Sequence, residues 1–579
     1  MMWRKINKAF YPYLETQKTR LSSPFHRVLP SFPKLRISSF FILLAVFFLL
    51  FSPLLGADTT YYVDPQNGYD ENNGLSPQSP WQSIQKANRS LKPGDTVYLM
   101  AGTYHQTIKP EDSGESGQPI TYARYQNDEV IISDVTMGVD LRNKHYVVID
   151  GLTIRNTKHW VYMRFQPSTH NTIKNCHMEK CTTGWAGIYM GGDVDREGNS
   201  HHNKILNNTL KGKCRPNNLI QCSSGATYNL IQGNEFFYGP HAAVEVEGRS
   251  YPTHHNIIKD NVFHNYYHTA LIVYTNAHHT LIEGNIFMDS GEKYSQNDCG
   301  SESDRSAAPR YHRAIQLGAS YCIIRKNVLV NNGSLCLESK EDESSLARHN
   351  RIYHNTLYKN HMALYSNCEG SVDQNILKNN IFYKNIDYEI HRYVTGHPQK
   401  DFFIHNNIQG APIYHYPDGE VSVAFMQNHY PQMWKNNLSQ NPLFKDEEER
   451  NFHLSPSSPM IDAGAFLTQT TSPGSGKQIP VKDARYFMDG WEVVQGDTVQ
   501  LEGDIQTATV TKVDYENHIL YVDRTLSWYS GQRISLAHSG YAPDLGAYEY
   551  GEFKPVEADI NASPSNKNPS PPSPNKERI

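Results

Sequence analysis

The sequence has little of what long helices or nucleic-acid surfaces require. Only 38% of its 579 residues are hydrophobic and 20% are charged, while Gly, Asn, Ser and Tyr are plentiful, a balance that suits β-structure rich in turns. Basic charge is scarce in the body of the chain. Residues 1–57 hold eight of the 54 Lys and Arg but one of the 59 Asp and Glu, so the rest carries 46 basic against 58 acidic residues, a net of about −12 with His neutral. That argues against nucleic-acid binding, which rests on Lys and Arg facing phosphates. An anionic ligand would need local positive charge or a bound cation. The eight cysteines lack paired CxxC units, so zinc modules are not indicated; disulfides are allowed, and small buried side chains are the alternative.

What is present begins with a basic leader (Arg4, Lys5, Lys8, Lys18, Arg20, Arg27, Lys34, Arg36) followed by an apolar run from Phe40 to Phe51 and the phrase PLLGA ending at Ala57. This predicts export, by a cleaved signal segment or by an uncleaved anchor, since Ile37 to Leu55 is just long enough to cross a bilayer. A membrane enters only through that segment.

The body repeats itself. NTIKNCHM at 171, NKILNNTL at 203, NLIQGNEF at 229, NIIKDNVF at 256, TLIEGNIF at 280, CIIRKNVL at 322, NRIYHNTL at 350, NILKNNIF at 375 and FFIHNNIQ at 402 share one pattern, and VVIDGLTI at 147 fits with Leu152 in the Asn place. That place reads Leu152, Cys176, Asn208, Asn234, Asn261, Asn285, Asn327, Asn355, Asn380 and Asn407. A unit of about 25 residues cannot bury its own apolar face, but stacked coils can. One amide per coil at the same bend can bond to its own turn and to the amides above and below, satisfying buried polar groups. The predicted fold is an all-β, right-handed single-stranded parallel β-helix of about ten recognisable rungs, roughly 45 to 50 Å long at about 4.8 Å per rung.

YYVDPQNGYDENNGLSPQSPWQSIQKA, LKPGDTVYLMAGTYHQ and GQPITYARY, with SPSSPMIDAGA at 455–465 and SGYAPDLGAYEYG at 539–551, resemble the two ends of pectate lyase-like β-helix polysaccharide lyases. The resemblance spans most of 58–551 and implies an entry strand, a short helix around Ser83 to Arg89, the first coils and a closing strand. The expected organisation is a leader at 1–57, an N-terminal cap with first coils at 58–150, the β-helix at 151–465, an inserted small β subdomain plus closing strand at 466–551, and a disordered Pro/Ser/Asn-rich tail at 552–579.

Longer steps in the repeat place insertions at 191–202 and 291–313, which are expected to rim a groove over one exposed sheet. On that sheet Ile188, Met190, Val244, Val246, Leu271, Val273, Ile315, Leu317, Leu335 and Leu337 should point inward. Tyr189, Glu245, Glu247, Tyr274, Gln316, Glu338 and Lys340 should point outward, with His241, His268, His312 and Arg313 just before their strands. Glu245 and Glu247 are the candidate Ca²⁺ ligands, or else a solvated pair. Lys340 is the candidate base for removing a proton beside a uronate carboxylate; LESKEDESS resembles the strand bearing the catalytic lysine in the chondroitinase B and alginate lyase family, whose pattern continues with an Arg where this chain reads MALYSNCEG. His241, His268 and Arg313 form a second proton-transfer and carboxylate-binding set. Tyr189, Tyr274, Glu338 and His312 are candidate substrate contacts.

Motifs of related families are missing: the DDGFD phrase of the β-helix pectate lyases, the NTD, DD, GHG and RIK set of polygalacturonases, and the DPHE motif of mannuronan epimerases. The sequence thus predicts an exported monomer acting on a polysaccharide, a lyase of acidic glycans. The alternatives are a non-catalytic carbohydrate-binding or surface-structural solenoid, or a glycoside hydrolase on the same fold.

Overall fold

A computed structural model describes residues 58–182, 185–192, 199–212, 217–290, 312–339, 345–368, 372–394 and 400–551. The leader, the tail, Lys340, and most of both loops expected to rim the groove (193–198 and 291–311) lie outside the described residues. No helix among the described residues is long and apolar enough to cross a membrane.

Three long sheets wind around one core. The first has 14 strands, from Thr60–Val63 to Trp434–Lys435, and the second has 12, from Gly102–Tyr104 to Asn407–Gln409. The third has 13, from Met137–Asp140 to Gly419–Val421, and only its last pairing is antiparallel. One coil shows the logic. Leu230–Gln232 lies in the first sheet, Glu235–Phe237 in the second and Ala242–Glu247 in the third, and each pairs in parallel with the strand one coil later: Ile231 with Ile258, Phe236 with Phe263, Val244 with Leu271. Alternation turns Ile231, Phe236, Val244 and Val246 inward, all essentially without solvent contact. Equivalent side chains therefore stack along the core; Phe236, Phe263 and Phe287 lie face to face at 4.7 and 4.6 Å.

The bend between the first two sheets carries the amide column. Asn261 accepts from the backbone and side-chain amides of Asn234 and donates from both of its own to Asn285, and its side chain also donates to the Ile231 carbonyl, all within 2.9 to 3.1 Å. The same bonds join Asn208, Asn234, Asn261, Asn285, Asn327, Asn355 and Asn380, with Cys176 donating into the start. At the far end the sequence reading slips by one residue. Asn380 bonds to Asn406, not to the expected Asn407, because Phe403 is the inward residue of that strand and sets the frame. Two further columns exist. Asn171, Asn203, Asn229 and Asn256 occupy the preceding bend, which resumes at Asn350, Asn375 and Asp401; Asn332, Asn360 and Asn385 run into Glu389 at the third.

A column of rings runs beside the Asn171 column. Tyr146, His170, His202, Tyr228, His255, His279, Tyr321 and His349 stack at 4.7 to 5.3 Å, every one in the left-handed backbone region that the bend demands.

The C-terminal part of the chain folds back over the coils. Six antiparallel strands between Thr468–Gln469 and Arg533–Leu536 lay Val481, Phe487, Trp491 and Val499 on the outer face of the first sheet, against Leu230, Ile257, Leu281 and Ile323. The flanking phrases meet each other: the Asp462 amide donates to Asp544, and the amides of Tyr541 and Ala542 donate to Asp462. With Phe444, Phe452 and Met460 they cover the outer face of the second sheet at Val328, Tyr358 and Ile381. Helix Ile84–Ser90, capped by Ser83, adds Ile84 and Ala87 to the N-terminal end of the core. Helix Val423–His429 adds Met426 at the other end, and its Gln427 accepts from the amide of Asn437, the last member of the main amide column.

Candidate functional site

Two of the three outer faces are thus occupied by the chain's own C-terminal part, so among the described residues the third sheet keeps the outer face for function. Its inward set matches the alternation, with Ile188, Met190, Val244, Val246, Leu271, Val273, Ile315, Leu317, Leu335 and Leu337 all at 0 to 1% exposure. The outward residues form registers across coils: Tyr162, Tyr189, Gln221, Glu245, Ile272, Gln316, Cys336 and Tyr365 in one row, Glu247 beside Tyr274 in the next.

Within this surface Glu245 and Glu247 are buried, at 3% and 1% exposure. A buried carboxylate must be met by donors. The Tyr274 hydroxyl lies 3.1 Å from Glu245 and 3.2 Å from Glu247, bridging the two. Asn218 donates to Glu245 at 2.5 Å; Gln221 and the Arg249 guanidinium each donate to Glu247 at 2.8 Å, and the Ser223 hydroxyl approaches at 3.4 Å. Burial and the two carboxylates push the Tyr274 phenol far up, so it stays protonated and donates. Its ionisation would set a third negative charge beside two. Tyr274 is therefore a bridge between carboxylates as well as a ring on the surface.

His241 stacks on His268 at 5.5 Å, as the sequence placed them, with its Nδ1 3.0 Å from the Asn218 amide oxygen and 3.5 Å from Glu245. Burial, then His241 and Arg313, push His268 down to about 4, so its imidazole is neutral at pH 7. Arg313 stands 3.3 Å from Glu338, which also accepts from Gln316. His312 departs from the expected column: its Nδ1 donates to the Tyr267 carbonyl and its ring meets Tyr267 edge-on. Tyr189 is not a bare platform, since the Arg164 guanidinium lies 4.3 Å over its ring and Arg142 covers Tyr162 at 5.2 Å. Lys340 lies outside the described residues.

Sequence reasoning missed the donors Asn218, Gln221, Ser223 and Arg249 and the cations Arg142 and Arg164. The strand Asn218–Cys222 is one coil before AAVEVEG and alternates in the same way, so its register could have exposed Gln221; Arg249 lies past the strand end and no periodicity points to it. Among the described residues no group of three or more His, Cys, Asp or Glu side chains is gathered to hold a metal. Glu245 and Glu247 spend their oxygens on Asn218, Gln221, Tyr274 and Arg249.

A family profile described as "Pel9A-like, right handed beta helix region" matches residues 61–213. The match covers 153 of the 579 residues. The chain is 32% identical over 162 residues to uncharacterized protein YwoF of Bacillus subtilis (strain 168), covering 25% of this chain and 32% of that one. It is 31% identical over 180 residues to pectate lyase PEL9 of Emericella nidulans, covering 28% of this chain and 40% of the other. These matches span less than half the length of either relative. A solved pectate lyase Pel9A aligns over 86% of this chain and 98% of its own at 17% identity and a TM-score of 0.43. The Pel9A-like region contains Arg142, Tyr162, Arg164 and Tyr189, and it ends before Gln221, Glu245, Glu247 and Tyr274.

Proposed function

We propose that the protein is an exported carbohydrate-active enzyme, a polysaccharide lyase that cleaves an acidic glycan by β-elimination on the outer face of the third sheet. The observation that carries the reading is the combination there of neutral His268 stacked on His241, Arg313 within one coil, and the Arg142 and Arg164 guanidiniums layered on tyrosines. In β-elimination a base takes the proton next to the uronate carboxylate, the electron pair forms the new C=C bond, and the bond to the leaving glycosidic oxygen breaks. A cation at the carboxylate stabilises the charge that develops. His268 and Lys340 are the base candidates and Arg313 the carboxylate contact; Glu245 and Glu247, tied up by their donors, shape the floor. Ca²⁺ would act at the same carboxylates only by displacing Tyr274 or Arg249. The similarity to a protein named pectate lyase supports an acidic glycan as substrate class.

Digestion of pectate, alginate and glycosaminoglycans by purified protein tests this directly. Ultraviolet-absorbing unsaturated ends that vanish in His268→Ala and Lys340→Ala support the lyase. Saturated reducing ends would point to hydrolysis by the carboxylate pair, and retention of glycans without shortening to a binding protein.

A further inference from the structure

The bend that leads into the third sheet carries a ladder of its own. Trp185, Asn217, His241, His268 and His312 stand just before their strands, one per coil: the amide of Asn218 donates to the Trp185 carbonyl, those of His241 and Ala242 to Asn217, and that of Thr269 to His241, at 2.9 to 3.2 Å. The coil before Trp185 puts Lys158 in the same place, directly ahead of strand His159–Arg164, whose Val161 pairs with Ile188. His241 and His268 of the candidate site therefore continue a line that begins with a cation and an indole.

Trp185 is 63% exposed. A single exposed ring means little on a protein surface. This one stands apart from other rings of the third sheet, which are covered: Tyr189 lies under Arg164, Tyr162 under Arg142, and His391 stacks on Tyr414. Among the described residues no ring, cation or hydrogen-bonding group meets the Trp185 indole, so neither of its faces is taken by another ring. Lys158 is exposed as well, and among the described residues its ammonium has no carboxylate within ion-pair reach. At about 4.8 Å per coil, His268 lies about 14 Å along the axis from Trp185 and about 19 Å from Lys158. One coil advances by about the length of one sugar in an extended glycan, so a single glycan chain can follow the whole line.

We propose that Trp185 and Lys158 form a distal subsite of the groove: the pyranose three coils from His268 lays a C–H face on the indole, and the carboxylate of the uronate at the next coil meets the Lys158 ammonium. The two side chains bind and position the glycan and touch no reacting atom. The sign of the ligand's charge and the place of His268 as the reacting end rest on the acidic-glycan reading; the line of Lys158, Trp185, His241 and His268 stands without it.

Titration calorimetry of the full chain with the trimers and hexamers of galacturonate and mannuronate, and with neutral galactohexaose, tests the subsite. Turnover is prevented by a His268→Ala, Lys340→Ala background, into which Trp185→Ala, Trp185→Phe and Lys158→Gln are placed one at a time. A hexamer can span the line to Lys158, and a trimer at the His268 end cannot. We expect the hexamer of one uronate to bind roughly tenfold or more tightly than its trimer, Trp185→Ala and Lys158→Gln each to cut that gain to about threefold or less, Trp185→Phe to keep most of it, and galactohexaose to bind roughly tenfold or more weakly than the uronate hexamer. Both positions are exposed, and an unchanged denaturation midpoint shows that the variants keep their fold. A length gain that survives either Trp185→Ala or Lys158→Gln, galactohexaose bound as tightly as the uronates, or no binding of any hexamer at millimolar concentration overturns the proposal. Assays for unsaturated ends without the background substitutions separate it from the lyase reading. A protein that makes none, yet whose length gain depends on Trp185 and Lys158, loses the lyase reading and keeps the subsite; a lyase whose length gain ignores them keeps its chemistry and loses the subsite.

Discussion

The guanidinium of Arg325 grips the carboxylate of Asp497, 172 residues further along, with two bonds of 2.6 and 2.9 Å. Arg325 rises from the outer face of the first sheet and is 2% exposed; Asp497 belongs to the layer that covers it. Glu283 at 3.2 Å and the Tyr353 hydroxyl at 3.0 Å complete the surroundings. Removing one partner of a buried pair strands the other charge. Asp497→Ala is expected to cost about 3–5 kcal/mol in urea denaturation, whereas the double change Arg325→Met, Asp497→Leu should cost far less than either single change.

The amide column yields a second expectation. Asn261→Ala takes away the acceptor of the buried Asn234 backbone amide and the side-chain donor to the Ile231 carbonyl, while the backbone amide of residue 261 still reaches Asn285. At about 1–3 kcal/mol for each group left unsatisfied, the loss should be about 3 kcal/mol or more, and Asn407→Ala, outside the column, should cost less. Denaturant midpoints at constant slope are the measurement.

The carboxylate bridge gives a contrast between two tyrosines on one surface. Tyr274→Phe deletes the donor shared by Glu245 and Glu247 and is expected to lower stability by about 1–3 kcal/mol, a hydrogen bond to charge being worth more than a neutral one. Tyr189→Phe, whose ring contributes by packing under Arg164, should change stability by less than about 0.5 kcal/mol. Equal effects would remove the special place given to the bridge.

Stability should fall on acidification. Burial, with neighbouring imidazoles, pushes His255 down to about 3 and His279 to about 4, while in the unfolded chain both titrate near about 6.5. Between those values the unfolded state binds more protons, so stability is full above about pH 6.5 and drains away as pH drops toward 4. Glu389 opposes this: burial raises it to about 7, so its contribution declines as pH rises from about 4.5 to 7 and is constant above. His279→Phe keeps the stacked ring and should flatten the acid limb of a plot of denaturation midpoint against pH. An unchanged limb would show that the ring column does not carry it.

Much of the fold is legible because the same constraint is written ten times. The inward residues of the third sheet, the main amide column and the short helix after Ser83 follow from alternation, period and capping chemistry. The slip at Asn406 has a plain cause: with Asn406 and Asn407 adjacent, only the side on which Phe403 lies decides the frame. The second column was in plain sight as the first letter of NKIL, NLIQ and NIIK, yet a phrase aligned on its inner Asn hides it. The site was less legible. Glu245 and Glu247 stand out by spacing, but apart from Arg249, two residues past Glu247, their donors come from neighbouring coils 24 to 29 residues away, and a contact between coils has no local pattern. Asp497 reaches the coils from the segment between two strands of the C-terminal layer, so nothing in the repeat announces it.

A stack of parallel strands is open at both ends, and each open end presents a row of backbone groups ready to continue the stack with another molecule. Here the helix bearing Ile84 and the helix bearing Met426 occupy those ends, and Gln427 stands where the next coil's amide would be. Among the described residues both ends of the coil stack are thereby covered, and the number of coils is fixed by the chain itself.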